Sequence, residues 1–519
     1  MRRVRVEIEG IVQGVGFRPF VYRLAAERRL AGWVKNTPAG VVLEAEGEAA
    51  AVAGLLESLE REAPPLAVIT GVHASDVPVV GESGFVIAPS EGGESGVEIA
   101  PDGDVCPDCL RELFDPADRR YRYPFINCTN CGPRYSIITG IPYDRPLTTM
   151  AGFAMCPACR VEYEDPGNRR FHAQPNACPA CGPRLRLVDG AGRSIDGDPV
   201  AAAVGLLRAG KILAVKGVGG YHLAVDAGND EAVVELRRRK ERDEKPFALM
   251  AYDLAAIGRF ALVDDMAARL LSGPERPIVL LKKGEGTAIA PAVAPANGWF
   301  GVMLPSSPLH HLLLRESFAA LVMTSGNVSD EPIAYRDDEA RERLARIADY
   351  FLDHDREIHT RCDDSVIRVF RGEPLFLRRS RGYVPRGVRL PAAQPSVLAV
   401  GAELKATICL TRGERGYLSQ HIGDLKNAAT LASLEESARH LQQVLDIRPA
   451  AVAHDLHPDY LSRGFAEALA GIPLVGVQHH HAHMASCMAE HGLDGEVIGV
   501  IFDGTGFGTD GTVWGGEFL

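Results

Sequence analysis

Cysteine spacing carries the sharpest chemistry in the sequence. Cys106-Pro-Asp-Cys109 is followed, eighteen residues on, by Cys128-Thr-Asn-Cys131. The pattern then returns as Cys156-Pro-Ala-Cys159 and, after another eighteen residues, Cys178-Pro-Ala-Cys181. Two cysteines three apart clamp one ion from a tight turn, and two such turns supply four thiolates to a tetrahedral metal. Each copy closes with Cys-Gly-Pro-Arg, so the repeat period is 50 residues and eight of the eleven cysteines are used. Structural zinc is the expected occupant, although spacing alone leaves iron open. Between Cys106 and Cys181 stand nine Arg, no Lys and eight Asp or Glu. A nucleic-acid finger needs a basic excess, so this block is expected to be a stapled connector between domains.

Three further groupings could do chemistry. Gly10-Ile-Val-Gln13-Gly14-Val15-Gly16-Phe17-Arg18 opens a helical stretch. Its glycines allow backbone N–H groups to turn inward as an anion nest, with the guanidinium of Arg18 matched to phosphate oxygens. Lys240-Glu-Arg242-Asp-Glu-Lys245-Pro246 gathers cations ahead of a strand, and Thr324-Ser325-Gly326-Asn327 turns after a buried one. Together they suit a triphosphate pocket, to which the strand-end Lys216 and Arg379 in Arg378-Arg379-Ser380-Arg381 are further candidates. Last, His479 and His483 in Gln478-His-His-His-Ala-His483 are four apart, so both imidazoles leave one face of a helix and can share an ion. Val497–Phe502 reads as a core strand ending in Asp503-Gly-Thr-Gly506, a carboxylate placed for a phosphate or metal loop; His480 and His481 have no evident role.

The elements that must position these groups describe a multidomain α/β chain. At 519 residues, 46% apolar and 24% charged, it has room for three to five cores. Val4, Val6 and Ile8 alternate as a strand, and residues 1–90 follow a βαββαβ order, a ferredoxin-like sandwich. Residues 91–105, rich in Ser, Gly, Glu and Asp, read as a linker before the two four-cysteine motifs of 106–188. A larger α/β domain is expected over 190–385, and another from 391 to 519 after Pro391-Ala-Ala-Gln-Pro395. No apolar run is long enough to span a membrane, and the start lacks the apolar core of a signal peptide. With metal-type thiols, a reducing cytoplasm is the expected compartment. The net charge of −12 argues against a general nucleic-acid coat.

Several of these motifs resemble known families. Val12-Gln-Gly-Val-Gly-Phe-Arg18, with Gly32-Trp-Val-Lys-Asn36 downstream, resembles the acylphosphatases over the whole first module. The resemblance implies that the loop Gln13–Phe17 and Arg18 hold a phosphoryl group while Asn36 positions the attacking water. Lys240-x-Arg242, Lys245-Pro246 and Ser325-x-Asn327 resemble the YrdC family of carbamoyl-adenylate formers. That implies phosphate contacts from the three cations and polar orientation by Ser325 and Asn327. The final segment resembles the TobZ and TsaD carbamoyl-transferring enzymes of the actin-like ATPase superfamily, implying iron or zinc at His479, His483 and Asp503. A further ligating acid is implied beyond Leu519, since the chain reaches only the opening hairpin of that fold's second half.

In this order the four modules resemble the HypF carbamoyltransferases of nickel-iron hydrogenase maturation. The resemblance implies zinc in both cysteine sites, carbamoyl phosphate and ATP with magnesium as substrates, and carbamoyl adenylate as intermediate. The implied acceptor is the C-terminal cysteine thiol of HypE. A zinc-dependent RNA-binding protein and a tRNA-threonylcarbamoylating enzyme are the competing readings.

Overall fold

The computed structural model describes residues 1–37, 39–89, 98–285, 288–315, 317–328, 331–469 and 471–519. The chain divides into two compact units, Met1–Ser329 with Ile333–Tyr383, and Asp330–Pro332 with Val384–Leu519.

The first unit begins with β1 (Arg2–Ile11), α1 (Phe17–Glu27), β2 (Ala31–Thr37), β3 (Gly40–Gly47), α2 (Ala49–Arg61), β4 (Val68–Asp76) and β5 (Phe85–Ile87). The sheet order is β4-β1-β3-β2-β5, antiparallel except for β5 against β2. Val4, Val6 and Ile8 alternate inward from β1, while α1 turns Phe17, Phe20, Val21 and Leu24 onto the same core at helical spacing. The expected ferredoxin-like sandwich is present, with β5 added at its edge.

Residues 91–97 of the expected linker lie outside the described residues. The rest of that segment is not a solvated tether. Ile99, Ala100 and Val105 are buried, and the Asp102 carboxylate accepts hydrogen bonds from the Arg134 and Ser136 amides and the Ser136 hydroxyl. Its polar composition is satisfied internally by the first cysteine repeat, which is why composition alone misreads it.

Each repeat holds one short helix, α3 (Pro107–Phe114) and α4 (Pro157–Glu164), N-capped by a cysteine with proline at the first helical position. Val105, Leu113, Phe125, Ile126 and Ile137 pack in one cluster with Leu207, Leu213, Leu309, Leu312 and Leu352 of the following domain. The knuckles therefore share a hydrophobic core with that domain.

A ten-stranded sheet follows. Its strands are β6 (Leu185–Asp189), β7 (Leu213–Lys216), β8 (Tyr221–Asp226), β9 (Ala248–Met250), β10 (Ile278–Lys282), β11 (Trp299–Met303), β12 (Leu321–Ser325), β13 (Tyr350–His354), β14 (Val366–Phe370) and β15 (Glu373–Arg378). They run in the order β15-β14-β10-β11-β9-β12-β8-β7-β13-β6. Leu185–Asp189, which the sequence places at the end of the cysteine block, is the edge strand here, antiparallel to β13.

The second unit holds β16 (Val388–Gln394), β17 (Val397–Ala399), β18 (Cys409–Leu418), β19 (Ala451–Asp455) and β20 (Leu474–Val477), ordered β16-β18-β17-β19-β20. The helix Ala428–Leu445 buries Leu434, Ala438, Leu441 and Leu445 at a spacing of three or four. Val497–Phe502 is not the core strand its apolar run suggests. Only Val500–Ile501 is extended, paired with Glu517–Phe518, and Ile498 and Phe502 are 84% and 80% exposed. A two-stranded ribbon covers neither of its own faces. Among the described residues no helix is long and apolar enough to cross a membrane.

Candidate functional site

The glycine loop stands between β1 and α1. Val15 and Phe17 are fully buried and anchor it from within. Gln13 ties it across to the β2–β3 turn through Nε2 bonds to the carbonyls of Thr37 and Gly40, at 2.8 and 2.7 Å. Gly14 and Gly16 have φ of +69° and +79°, which glycine adopts without strain. Gly16 caps α1, and no side chain fills the cap, so the helix's first N–H groups remain directed at the loop. Arg18 is half-buried, its pKa lowered by burial and partly restored by Asp144 and Tyr163. Asn36, on β2, has a buried Oδ1 with no hydrogen-bond partner among the described residues. An orphaned buried acceptor one residue from Thr37, where Gln13 ties the glycine loop to β2, is what a bound water would satisfy, and the uncapped helix terminus with Arg18 suits an anion.

The cysteine block closes over this loop. Arg134, of the first Cys-Gly-Pro-Arg, is 1% exposed. Its Nε donates to Gly14 O at 3.0 Å, and its other nitrogens bond the carbonyls of Cys128, Thr129, Cys131 and Pro133. One buried side chain thus joins a metal knuckle to the glycine loop. Sequence reasoning treated this arginine only as a repeat marker. Its counterpart Arg184 is exposed, so the two copies of the motif have different jobs.

Both cysteine clusters fit zinc. Adjacent sulfurs of Cys106, Cys109, Cys128 and Cys131 lie 3.5–3.8 Å apart, and those of Cys156, Cys159, Cys178 and Cys181 lie 3.6–3.8 Å apart. A zinc ion ~2.3 Å from each sulfur sets the edges of its tetrahedron at ~3.8 Å. A disulfide would need about 2 Å.

In the ten-stranded domain the expected cations separate into two groups. Lys240 ends the helix Asp230–Lys240 and is 2% exposed. Its Nζ lies within donor distance of Ser325 O (2.8 Å), Asn327 O (2.6 Å) and Asn327 Oδ1 (2.7 Å), of which the neutral amine can donate to two and the ammonium to all three, and Ser325 Oγ donates to Asn327 Oδ1 at 2.7 Å. Burial, with Arg242 and Lys245 nearby, pushes the Lys240 pKa down to about 7. Arg242 bonds the carbonyls of Lys245 and Pro246 and stacks over Phe247; burial lowers its pKa to about 10. Lys240, Arg242, Lys245, Ser325 and Asn327 therefore form one neighbourhood.

Lys216 does not belong to that neighbourhood by its contacts. It is buried in an ion pair with Asp337 at 2.5 Å and donates to His354 O, while Asp337 also accepts from Tyr221. A buried ammonium needs a partner, and the strand-end position supplied one from within the fold. Arg379 reaches the carbonyl of Tyr383 at 3.4 Å.

In the second unit His479 and His483 lie on the helix His479–Glu490, as the four-residue spacing predicts. Nε2 of each approaches the same atom, Asp503 Oδ2, at 2.8 and 3.0 Å. The three side chains meet the geometry of a shared ion site. His479 Nδ1 lies 2.6 Å from Asp455 Oδ2, so both its ring nitrogens face carboxylate oxygens. With Nδ1–H donated to Asp455, the Nε2 lone pair faces an anionic oxygen, an arrangement a bound cation or a second proton relieves. Asp455 escaped sequence reasoning. The available signal was its place at the carboxyl end of a parallel strand: it registers with Val477, two residues before His479. His480 is fully buried and bonded to Gln478, a packing role, whereas His481 is exposed.

Comparison with known proteins covers every module. An acylphosphatase profile matches residues 4–87, a HypF finger profile 105–138 and 155–188, a "telomere recombination" profile of the Sua5, YciO and YrdC group 205–380, and a HypF Kae1-like profile 392–490. The chain is 53% identical to carbamoyltransferase HypF2 of Cupriavidus necator, over all of this chain and 67% of that protein. It is 48% identical to carbamoyltransferase HypF of Synechocystis sp., again over all of this chain and 68% of the relative. The crystal structure of full-length HypF in the phosphate- and nucleotide-bound form superposes with a TM-score of 0.93 at 47% identity, covering all of this chain and 68% of that one. With the glycine loop, the paired four-cysteine knuckles and the histidine helix each found where that architecture has a matching module, the chain belongs to the HypF family of carbamoyltransferases.

Proposed function

We propose that this chain runs the opening chemistry of carbamoyl transfer in nickel-iron hydrogenase maturation, with three sites acting in series. At the glycine loop, backbone N–H groups and Arg18 hold the phosphoryl group of carbamoyl phosphate. Asn36 orients the water that releases carbamate and inorganic phosphate. In the Lys240 neighbourhood, a carbamate oxygen attacks the α-phosphorus of ATP, supplied with magnesium, giving carbamoyl adenylate and pyrophosphate. Lys240, Arg242 and Lys245 compensate the polyphosphate charge, and Lys240 also fixes the Ser325–Asn327 turn. The acceptor, the C-terminal cysteine thiolate of HypE, then attacks the carbamoyl carbon and AMP departs. His479, His483 and Asp503 would hold a metal ion, which would supply Lewis-acid charge to the transfer step. Asp455 keeps His479 oriented.

The observation that carries this reading is the orphaned Asn36 Oδ1, one residue from where Gln13 ties the glycine loop to β2, on a chain that also gathers Lys240, Arg242 and Lys245. Carbamate decomposes in water and carbamoyl adenylate is a mixed anhydride, so fusing the modules suppresses loss between steps. Thiol chemistry of this kind, with eleven cysteines and no disulfide among the described residues, suits a reducing cytoplasm. ATP–pyrophosphate exchange tests the proposal. Exchange is expected with carbamoyl phosphate. Exchange supported instead by bicarbonate and threonine would transfer the chain to the threonylcarbamoylating class.

A further inference from the structure

The two cysteine repeats are wired crosswise. Asp115-Pro-Ala-Asp-Arg119-Arg120 in the first has its counterpart in Asp165-Pro-Gly-Asn-Arg169-Arg170, 50 residues later. Each segment turns the same way: Asp115 and Asp165 accept from the amides two residues on, and Asp118 and Asn168 accept from those of Arg120 and Arg170. The arginines so presented reach into the opposite finger, although Arg170 also approaches Glu162 of its own at 3.9 Å. Arg119 and Arg120 of the first repeat reach Cys159 Sγ of the second, at 3.3 and 3.6 Å, and both pair with Glu162 on α4. Arg169 of the second repeat reaches Cys109 Sγ of the first at 3.0 Å, and Arg169 and Arg170 both pair with Glu112 on α3. The backbone contacts are crossed as well. Arg120 Nε donates to Ala177 O, just before Cys178, and Arg170 Nε donates to Asn127 O, just before Cys128.

We propose that each finger's arginine pair completes the other finger's metal site, so that the two ions load and leave as a coupled pair. Four thiolates around a divalent ion leave a net charge of −2 in a largely buried setting. Such charge is costly unless neighbouring cations and N–H donors compensate it. The compensating groups are presented only when the opposite finger is folded. Arg169 follows α4, which is capped by the second-site ligand Cys156, and Arg119 follows α3, capped by the first-site ligand Cys106. Binding at one site thus orders the groups that stabilise the other, which is a coupling free energy between sites.

The inference rests on both clusters holding zinc, so the full chain is first assayed for two zinc ions. A different stoichiometry or metal would overturn that reading before the coupling is addressed. Zinc is then withdrawn with graded chelator and the chain weighed by native mass spectrometry. Independent, equal sites put about half the chains in the one-zinc state at half release, whereas coupling of about 5-fold or more holds that state below about a third. One-zinc chains at about half would overturn the proposal.

Arg119→Gln and Arg169→Gln provide the second arm, since both side chains are partly exposed, at 34% and 22%. Freed thiols are alkylated and mapped by peptide mass spectrometry. Arg119→Gln is expected to weaken retention at Cys156–Cys181, and Arg169→Gln at Cys106–Cys131, each about 10-fold or more. Weakening confined to the variant's own finger, or no change, would refute crossed wiring. A purely structural lesion would not select the opposite site.

Discussion

Lys240 offers a quantitative handle on the adenylating site. Lys240 is 2% exposed, with a pKa pushed from 10.5 down to about 7 by burial and by Arg242 and Lys245. The unfolded chain therefore binds more protons than the folded one between pH about 7 and 10.5. Stability contributed by this group rises with pH across that window and is lowest below it. The difference between 10.5 and about 7 corresponds to ~5 kcal/mol of unfavourable electrostatics. A triphosphate placed beside Lys240 would restore the charged form. At pH 8 about one tenth of Lys240 is protonated in the free protein, so nucleotide binding should take up ~0.9 proton if it returns the pKa to about 10. ATP itself is fully ionised at that pH and contributes little. Calorimetric titration at pH 8 in buffers of different ionisation enthalpy reads the uptake from the slope of the binding heat. Lys240→Met should abolish the slope. Binding without proton uptake in the unsubstituted chain, or an unchanged slope in Lys240→Met, would refute the placement of phosphate charge at this lysine.

Further substitutions probe the other sites. Gly16→Ala forces a side chain to a φ of +79°, costing ~1–2 kcal/mol, and sets its Cβ 2.7 Å from Thr129 Oγ1, which is pinned to Arg169 O. Thermal denaturation should show the loss, and phosphate release from carbamoyl phosphate should fall with it; unchanged values would contradict the closed loop. Cys128→Ser should cost several kcal/mol of metal-coupled folding energy. Because the knuckles share a core with the ten-stranded domain, limited proteolysis should then cut inside that domain too; cleavage confined to the cysteine block would contradict the shared core. Asp455→Asn should weaken metal retention at His479 and His483 by about 10–100-fold in chelator competition while leaving both cysteine sites loaded. Equal affinity would deny Asp455 its orienting role.

Local patterns made much of this architecture legible. Alternating valines announced β1, the Gly14–Gly16 loop announced a helix start, and His479-x3-His483 announced a shared helical face. Each of these signals is written within a few residues. The errors arose where a distant partner decides the outcome. Residues 98–105 look solvated until Arg134 and Ser136 satisfy Asp102. Lys216 looks available until Asp337 takes its charge. Val497–Phe502 has a core strand's composition, yet its ribbon leaves Phe502 exposed. The crossed arginines illustrate the same limit. A balanced count of arginines and acids in the cysteine block argued against a nucleic-acid reader, but only the fold reveals that Arg119 and Arg169 serve each other's thiolates.

The most direct test of three sites acting in series is epistasis between the first two. Carbamoyl-phosphate-dependent ATP–pyrophosphate exchange is measured for the unsubstituted chain and for Arg18→Ala, then repeated with concentrated ammonium bicarbonate, which supplies carbamate without hydrolysis. Arg18→Ala should lose both phosphate release and exchange, and carbamate should restore exchange alone. Full exchange in Arg18→Ala with carbamoyl phosphate, or no rescue by carbamate, would contradict the series.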